Sequence, residues 1–384
     1  SLLCHLAVLL QMNTYRDMIV LCFFFQAEDG IRDLVRSRGL GDVYKRQIWY
    51  QSGEAGHQTR TCIFSGCWLL SNSLIHRTIG EIKMQIDIIG VPIDLGADRR
   101  GVDMGPSAIR YSHLQKKLED LGYDVHEEGN VEVPIAEMCK ITNPKLKYID
   151  CIIPMSRRVA GAVATSIQAK NFPLVLGGDH SLSIGSVRGA ARNKKIGVIW
   201  IDAHADFNTA DTTPSGNIHG MSLAILAGLG DKSLVQLWDE SLPVIDPNKI
   251  AIIGARDLDS GEKTNLSNAG AMVMGMEQID RYGMVTVIEK AIERVSRDVD
   301  GIYLSLDLDA LDPQHAPGVG TPVPAGLTQR ETHLACELIA ETNKLIGMDL
   351  VEVNPILDGQ NKTAALAVEF ALSALGRRIW NGYS

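Results

Sequence analysis

Six short apolar runs set the terms on which this chain can fold. They occupy residues 85–91, 173–176, 196–201, 250–253, 302–306 and, more loosely, 346–353, and turn residues bound them. Such a run, without polar alternation, suits a strand covered on both faces, the setting of a parallel sheet. Helical periods lie between the runs. Met155, Val159, Val163 and Ile167 recur every four residues and share one helix face. Pro106 stands where a first helical residue often stands. Ile109, Leu114, Leu118 and Leu121 give that helix an apolar face, and Gly122 ends it. Thr328-Gln329-Arg330-Glu331 reads as a capping box opening a further helix. Strands alternating with helices predict a right-handed, doubly wound α/β sheet. In such sheets, sites form at the carboxyl ends of strands.

The pattern begins near Met84. Residues 1–83 sustain neither period, and their stretches 26–33 and 36–42 resemble translated adapter sequence. They are read as a non-native or disordered leader, and residues 84–384 as a single domain. The apolar patches of residues 2–25 are interrupted by His5, Arg16 and Asp17, so neither a signal peptide nor a membrane span is expected. A formal net charge of -9 gives no reason to expect a nucleic-acid partner. An acidic body suits a cationic small substrate, but it suits plain solubility better. Outside the leader the cysteines are Cys139, Cys151 and Cys336, and none forms a C-x-x-C pair. That argues against a disulfide framework and a zinc-thiolate site, and points to a reducing, cytoplasmic setting.

Four clusters carry chemistry, each at the end of an apolar run. They are Gly177-Gly178-Asp179-His180-Ser181, Asp202-Ala203-His204-Ala205-Asp206, Asp307-Leu308-Asp309, and Glu352. In extended chain, residues two apart point the same way. Asp202, His204 and Asp206 therefore project together, as do Asp307 and Asp309. Unpaired carboxylates gathered at the mouth of a buried strand repel and lose solvation. Metal ions resolve that conflict. Two imidazoles and four carboxylates, with no thiolate, favour Mn(II), with Mg(II), Fe(II), Co(II) and Zn(II) in range. Two dications together would acidify a water and fix its position.

These strings resemble the ureohydrolase family, its arginase branch in particular. The motifs G-G-D-H-S, D-A-H-A-D-F-N, S-G-N-I-H-G-M and S-L-D-L-D-A-L-D-P occur in the family's order, and the resemblance spans residues 84–383. It implies a three-layer α/β/α sandwich with a central, mostly parallel eight-stranded sheet. It implies two Mn(II) per subunit: one on His180, Asp202, Asp206 and Asp307, the other on Asp202, His204, Asp307 and Asp309. The implied reaction is hydrolysis of L-arginine to L-ornithine and urea, by attack of a hydroxide held between the ions on the guanidinium carbon. Asp206 would carry the proton to the leaving amine. His219 would shuttle protons to solvent or help orient the substrate, and Glu352 would face the guanidinium. The working form would be a homotrimer or homohexamer.

Substrate choice turns on two loops. Asn208, Thr213, Ser215 and Asn217 supply neutral donors for an α-carboxylate, and Asp259 and Glu262 could take the α-ammonium. Both loops resemble arginase rather than agmatinase. Thr321 is expected near the guanidinium, Asp179 as a support of its loop, and Asp257 and Asp349 as structural hydrogen-bond partners. The alternatives are an agmatinase, guanidinobutyrase or formimidoylglutamase, a metal-binding regulatory protein with a dead site, and a deacetylase-type amidohydrolase. The last normally manages with one zinc.

Overall fold

Eight strands build one sheet in the computed structural model, which describes residues 84–238 and 244–378. The expected leader, residues 1–83, lies outside the described residues. In chain order the strands are β1 (Gln85–Val91), β2 (Asp124–Asn130), β3 (Phe172–Gly177), β4 (Ile196–Ile201), β5 (Ile250–Ile253), β6 (Met272–Met274), β7 (Gly301–Asp307) and β8 (Leu345–Val351). Their order in the sheet is β2-β1-β3-β8-β7-β4-β5-β6. Every neighbouring pair is parallel, so the sheet expected to be mostly parallel is entirely so.

The unbroken apolar runs follow from this arrangement. Alternate side chains of each central strand enter two different cores. Leu174, Leu176, Ile199, Ile201, Leu304 and Leu306 belong to one. Val175, Val198, Trp200 and Tyr303 belong to the other. The first core is closed by helices that include Met276–Val295, Gln329–Glu341 and Lys362–Ala374. The second is closed by helices that include Ile149–Gln168 and Ser183–Ala191. The result is three layers, helices on both faces of the sheet.

Two local expectations are corrected. The single helix expected from Pro106 to Leu121 is two helices, Gly105–Tyr111 and Leu114–Asp120, with His113 at φ 63 between them. Side chains take over at the break. Asn361 Nδ2 donates to Ala108 O, a carbonyl that a continuous helix would have satisfied itself, and to Ser112 Oγ. The second correction concerns thiols. Cys139 and Cys151 form a disulfide, their Cα atoms 6.6 Å apart. Residues 142–148 turn back on themselves, which brings together two cysteines that sequence spacing alone does not pair. Cys336 is free and buried.

Candidate metal centre

The carboxyl ends of β3, β4, β7 and β8 are adjacent in the sheet and deliver the four clusters to one place. After β3 the chain turns at Gly178, where a Cβ would lie 1.9 Å from Ile93 O, so only glycine fits. Asp179 then accepts from the Gly96 and Ser181 amides at 2.7 and 2.9 Å, tying two loops together as expected of it. Burial, reinforced by the nearby Glu352 charge, raises its carboxyl to about 6. His180 follows, 1% exposed.

After β4, the Asp202 carboxylate is oriented from both sides. Trp200 Nε1 donates to its Oδ2 at 2.9 Å, and the His204 amide donates to its Oδ1 at 2.7 Å. The Trp200 indole also stacks on the His180 ring, centroids 3.9 Å apart and planes 6° from parallel. After β7, the Asp309 amide donates to Asp307 Oδ1 at 2.7 Å, and Thr321 Oγ1 donates to Asp309 Oδ2 at 2.9 Å. The Arg256 guanidinium clamps this loop through carbonyls that include Asp309 O and Ala310 O. Asp206 and Glu352 both adopt left-handed backbone, φ 51 and 62. Non-glycine residues accept such strain where the surrounding structure over-determines it, commonly at functional sites.

The six expected ligands converge. Nδ1 of His180 lies 3.1 Å from Asp202 Oδ2, 3.0 Å from Asp206 Oδ2 and 3.2 Å from Asp307 Oδ2. Nδ1 of His204 lies 3.4 Å from Asp202 Oδ1 and 3.1 Å from Asp309 Oδ2. Two overlapping donor groups result, His180–Asp202–Asp206 and Asp202–His204–Asp309.

The donor set fits metal ions on two observations. His180 Nδ1 and Asp206 Oδ2 are buried, 3.0 Å apart, and neither has another hydrogen-bond partner. Burial works against a charge on His180, but Asp202, Asp206 and Asp307 outweigh it. A proton therefore lies between these atoms in the ion-free chain, and a metal ion would take its place. The spacing also agrees: bonds of about 2.1 Å in octahedral geometry put neighbouring ligand atoms about 3.0 Å apart. The two imidazoles, both raised by the carboxylates against their burial, offset only part of the charge of four carboxylates. Burial, with the charges of Asp309 and Asp202, pushes Asp307 well above the usual carboxylate range. Burial and Asp202 raise Asp206 as well. Asp202 is held low, because the charged His180 and His204 outweigh its burial.

A pocket opens over this array. Its wall includes Asn208, Thr213, Ser215, Asn217, Asp259, Glu262 and Thr321, every substrate contact expected from sequence, together with His204, Asp206 and His219. Glu352 lines the adjoining space. Asp257, expected to be structural, stands on the pocket wall. Thr213 Oγ1 accepts from the Gly216 amide at 2.9 Å, and Ser215 Oγ from the Asn217 amide at 3.1 Å. The two hydroxyls lie 3.5 Å apart, so one can donate to the other and at least one proton faces the pocket. Asn208 gives one amide proton to Asp259 Oδ2 at 3.0 Å.

Sequence reasoning assigned no role to Trp200, Ser305 or Arg256. Trp200 left a signal, since it stands two residues before Asp202 and shares its face. Ser305 left the same signal, two residues before Asp307 on β7, and Arg256 left none.

The sequence model of the Arginase family matches residues 84–376. The chain belongs to the arginase family. Within that family, the arginase of Bacillus subtilis (strain 168) is 49% identical over 295 residues, which cover 77% of this chain and 98% of that protein. The native structure of Bacillus caldovelox arginase matches with a TM-score of 0.75 at 47% identity, covering 77% of this chain and 100% of that one. The crystal structure of arginase from Bacillus subtilis subsp. subtilis str. 168 matches with a TM-score of 0.73 at 47% identity, covering 78% and 100%.

Proposed function

We propose that the chain hydrolyses L-arginine to L-ornithine and urea on a pair of manganese ions. The observation that carries this reading is the unpartnered meeting of His180 Nδ1 and Asp206 Oδ2 beneath a pocket of neutral donors and carboxylates. His180, Asp202, Asp206 and Asp307 would hold one ion, and Asp202, His204, Asp307 and Asp309 the other. Bound there, the ions would supply Lewis acidity, making a water nucleophilic near neutral pH.

The chain's own residues do the rest. Glu352 Oε1 is committed to the His180 amide at 2.9 Å and to His219 at 3.1 Å, whereas Oε2 is buried without a partner. That oxygen is the acceptor for a guanidinium N–H. Asp206 is 5% exposed and lines the pocket, so it can hold the proton that the attacking water sheds and return it to the leaving amine. His219, also on the pocket wall, exchanges that proton with solvent. Thr213 and Ser215, whose hydroxyls lie 3.5 Å apart and bond to each other, would turn to donate to an α-carboxylate. Asp259 and Glu262 receive the α-ammonium. The reading includes a cytoplasmic location, an oligomer of three or six chains, and residues 84–384 as the catalytic domain. Among the described residues, no helix is long and apolar enough to cross a membrane.

Comparing arginine with agmatine, which lacks the carboxylate, tests the substrate. Agmatine would leave the Thr213 and Ser215 donors unpaired, so kcat/KM should favour arginine by more than about a hundredfold. Preference for agmatine would contradict the reading.

A further inference from the structure

Asp349 is fully buried on β8, directly opposite Ser305 of β7 in the sheet register. It touches no substrate position and lies behind the pocket wall rather than on it. Its carboxylate is nonetheless heavily served. Oδ2 accepts from Ser183 Oγ at 2.7 Å and Ser186 Oγ at 2.8 Å, and Oδ1 accepts from Tyr303 OH. Ser305 Oγ donates to Oδ2 at 3.4 Å and also lies 3.5 Å from Ser183 Oγ, whose own proton goes to Asp349. The same Ser305 oxygen lies 2.8 Å from Nε2 of His180.

A hydroxyl carries a single proton. Given to Asp349, it leaves Ser305 able only to accept from His180. Nε2 then bears the hydrogen, and Nδ1, which faces Asp202, Asp206 and Asp307, presents a lone pair. That is the tautomer a metal ligand must have.

We propose that Asp349 is a positioning residue. Acting through Ser305, it fixes the tautomer of His180 and so sets the affinity of the chain for the cation that His180 holds. The inference rests on the metal reading above and deepens it. The two cation sites differ in this support: His180 is reached by the Asp349–Ser305 chain, whereas His204 is not. Removing the chain should therefore weaken one site and spare the other.

The test is a titration of chelator-stripped, full-length protein with MnCl2, following free Mn(II) by paramagnetic resonance and heat by calorimetry. Wild-type protein takes up two equivalents. In Asp349→Asn, one equivalent keeps its affinity and the other weakens about 10–100-fold. Ser305→Ala gives the same selective loss while leaving Asp349 with Ser183, Ser186 and Tyr303, and it decides the matter should Asp349→Asn not fold. Tyr303→Phe removes a partner of Asp349 that is outside the chain to His180, and leaves both affinities unchanged. Unchanged binding in Asp349→Asn and Ser305→Ala overturns the proposal. So does a selective loss in Tyr303→Phe, which would mark a general packing effect. Wild-type protein that binds no Mn(II) overturns the metal reading itself, and this inference with it.

Discussion

Nδ1 of His219 lies 3.1 Å from Oε1 of Glu352, the same oxygen that receives the His180 amide. The loop histidine is thereby tied to the loop that supplies the first metal ligand. Burial works against a charge on His219, but the Glu352 carboxylate outweighs it and lifts the imidazole to about 9. A folded value above the ordinary 6.5 means that the pair stabilises ion-free protein below pH 6.5, and that this contribution is lost as pH rises through about 9. Denaturant titrations at pH 6 and pH 9.5 in chelator should show the loss, and Glu352→Gln should flatten it. In loaded enzyme, His219→Ala should lower kcat by about 10²-fold or more.

The crowding around Asp307 predicts a change of sign. Burial and the charges of Asp309 and Asp202 make its ionised form unfavourable when no cation is present. Asp307→Asn keeps an oxygen for the Asp309 amide and removes the charge. Its melting temperature should exceed that of wild type by a few degrees in chelator, and fall below it when Mn(II) is added. Calorimetry with and without the ion checks both arms, and the same sign in both would contradict the account.

How legible was this in the sequence? The central strands announced themselves because both faces are buried. The edges did not. β2 reads Asp-Val-His-Glu-Glu-Gly-Asn and is largely exposed, and β6 is three half-buried residues. Neither offers a hydrophobic period. At the ligands the chain is not extended: Asp206 is left-handed and Asp309 sits in the 3-10 turn Leu308–Ala310. Their convergence is set by these turns and not by the i, i+2 spacing alone. As carboxylates and imidazoles strung at the ends of apolar runs, the ligands were nonetheless legible. The Asp349–Ser305–His180 chain was not, because it depends on the register between β7 and β8, which one strand's sequence does not state. The break at His113 escaped for a similar reason: Asn361, which bonds to the end of the first helix there, is 248 residues from His113 in sequence and only the fold brings it close.

Glu262 predicts a proton released on binding. Both its oxygens are used, by the Phe207 amide at 2.8 Å and the Asp259 amide at 3.3 Å. Burial nevertheless raises its carboxyl to about 7, with the charges of Asp206 and Asp259 adding to the shift and those two amides opposing it. An ammonium placed beside it would restore the ionised form. Arginine binding at pH 7 should then release about half a proton. Calorimetry in two buffers of different ionisation enthalpy measures this, and Glu262→Gln should abolish it and raise KM.

The Cys139–Cys151 disulfide predicts a link between thiol state and substrate affinity. The segment it closes holds the donor loop: Lys147 N donates to Gly216 O at 3.0 Å, and Lys145 Nζ to Thr213 O at 2.9 Å. A disulfide closing a loop of this length contributes about 3 kcal/mol through the unfolded chain. Cys151→Ser should lower the melting temperature by several degrees and raise KM several-fold, with kcat little changed. Steady-state kinetics, repeated on wild type in a reducing agent, checks it. Cys336, its thiol pushed up to about 12 by burial, should resist alkylation in the folded state.

Anomalous diffraction at the manganese edge, from crystals grown with Mn(II), tests the account at its centre. Two peaks are expected per chain, one bounded by His180 and Asp206, the other by His204 and Asp309, with Asp202 and Asp307 touching both. A single peak, or density away from these six side chains, would contradict it.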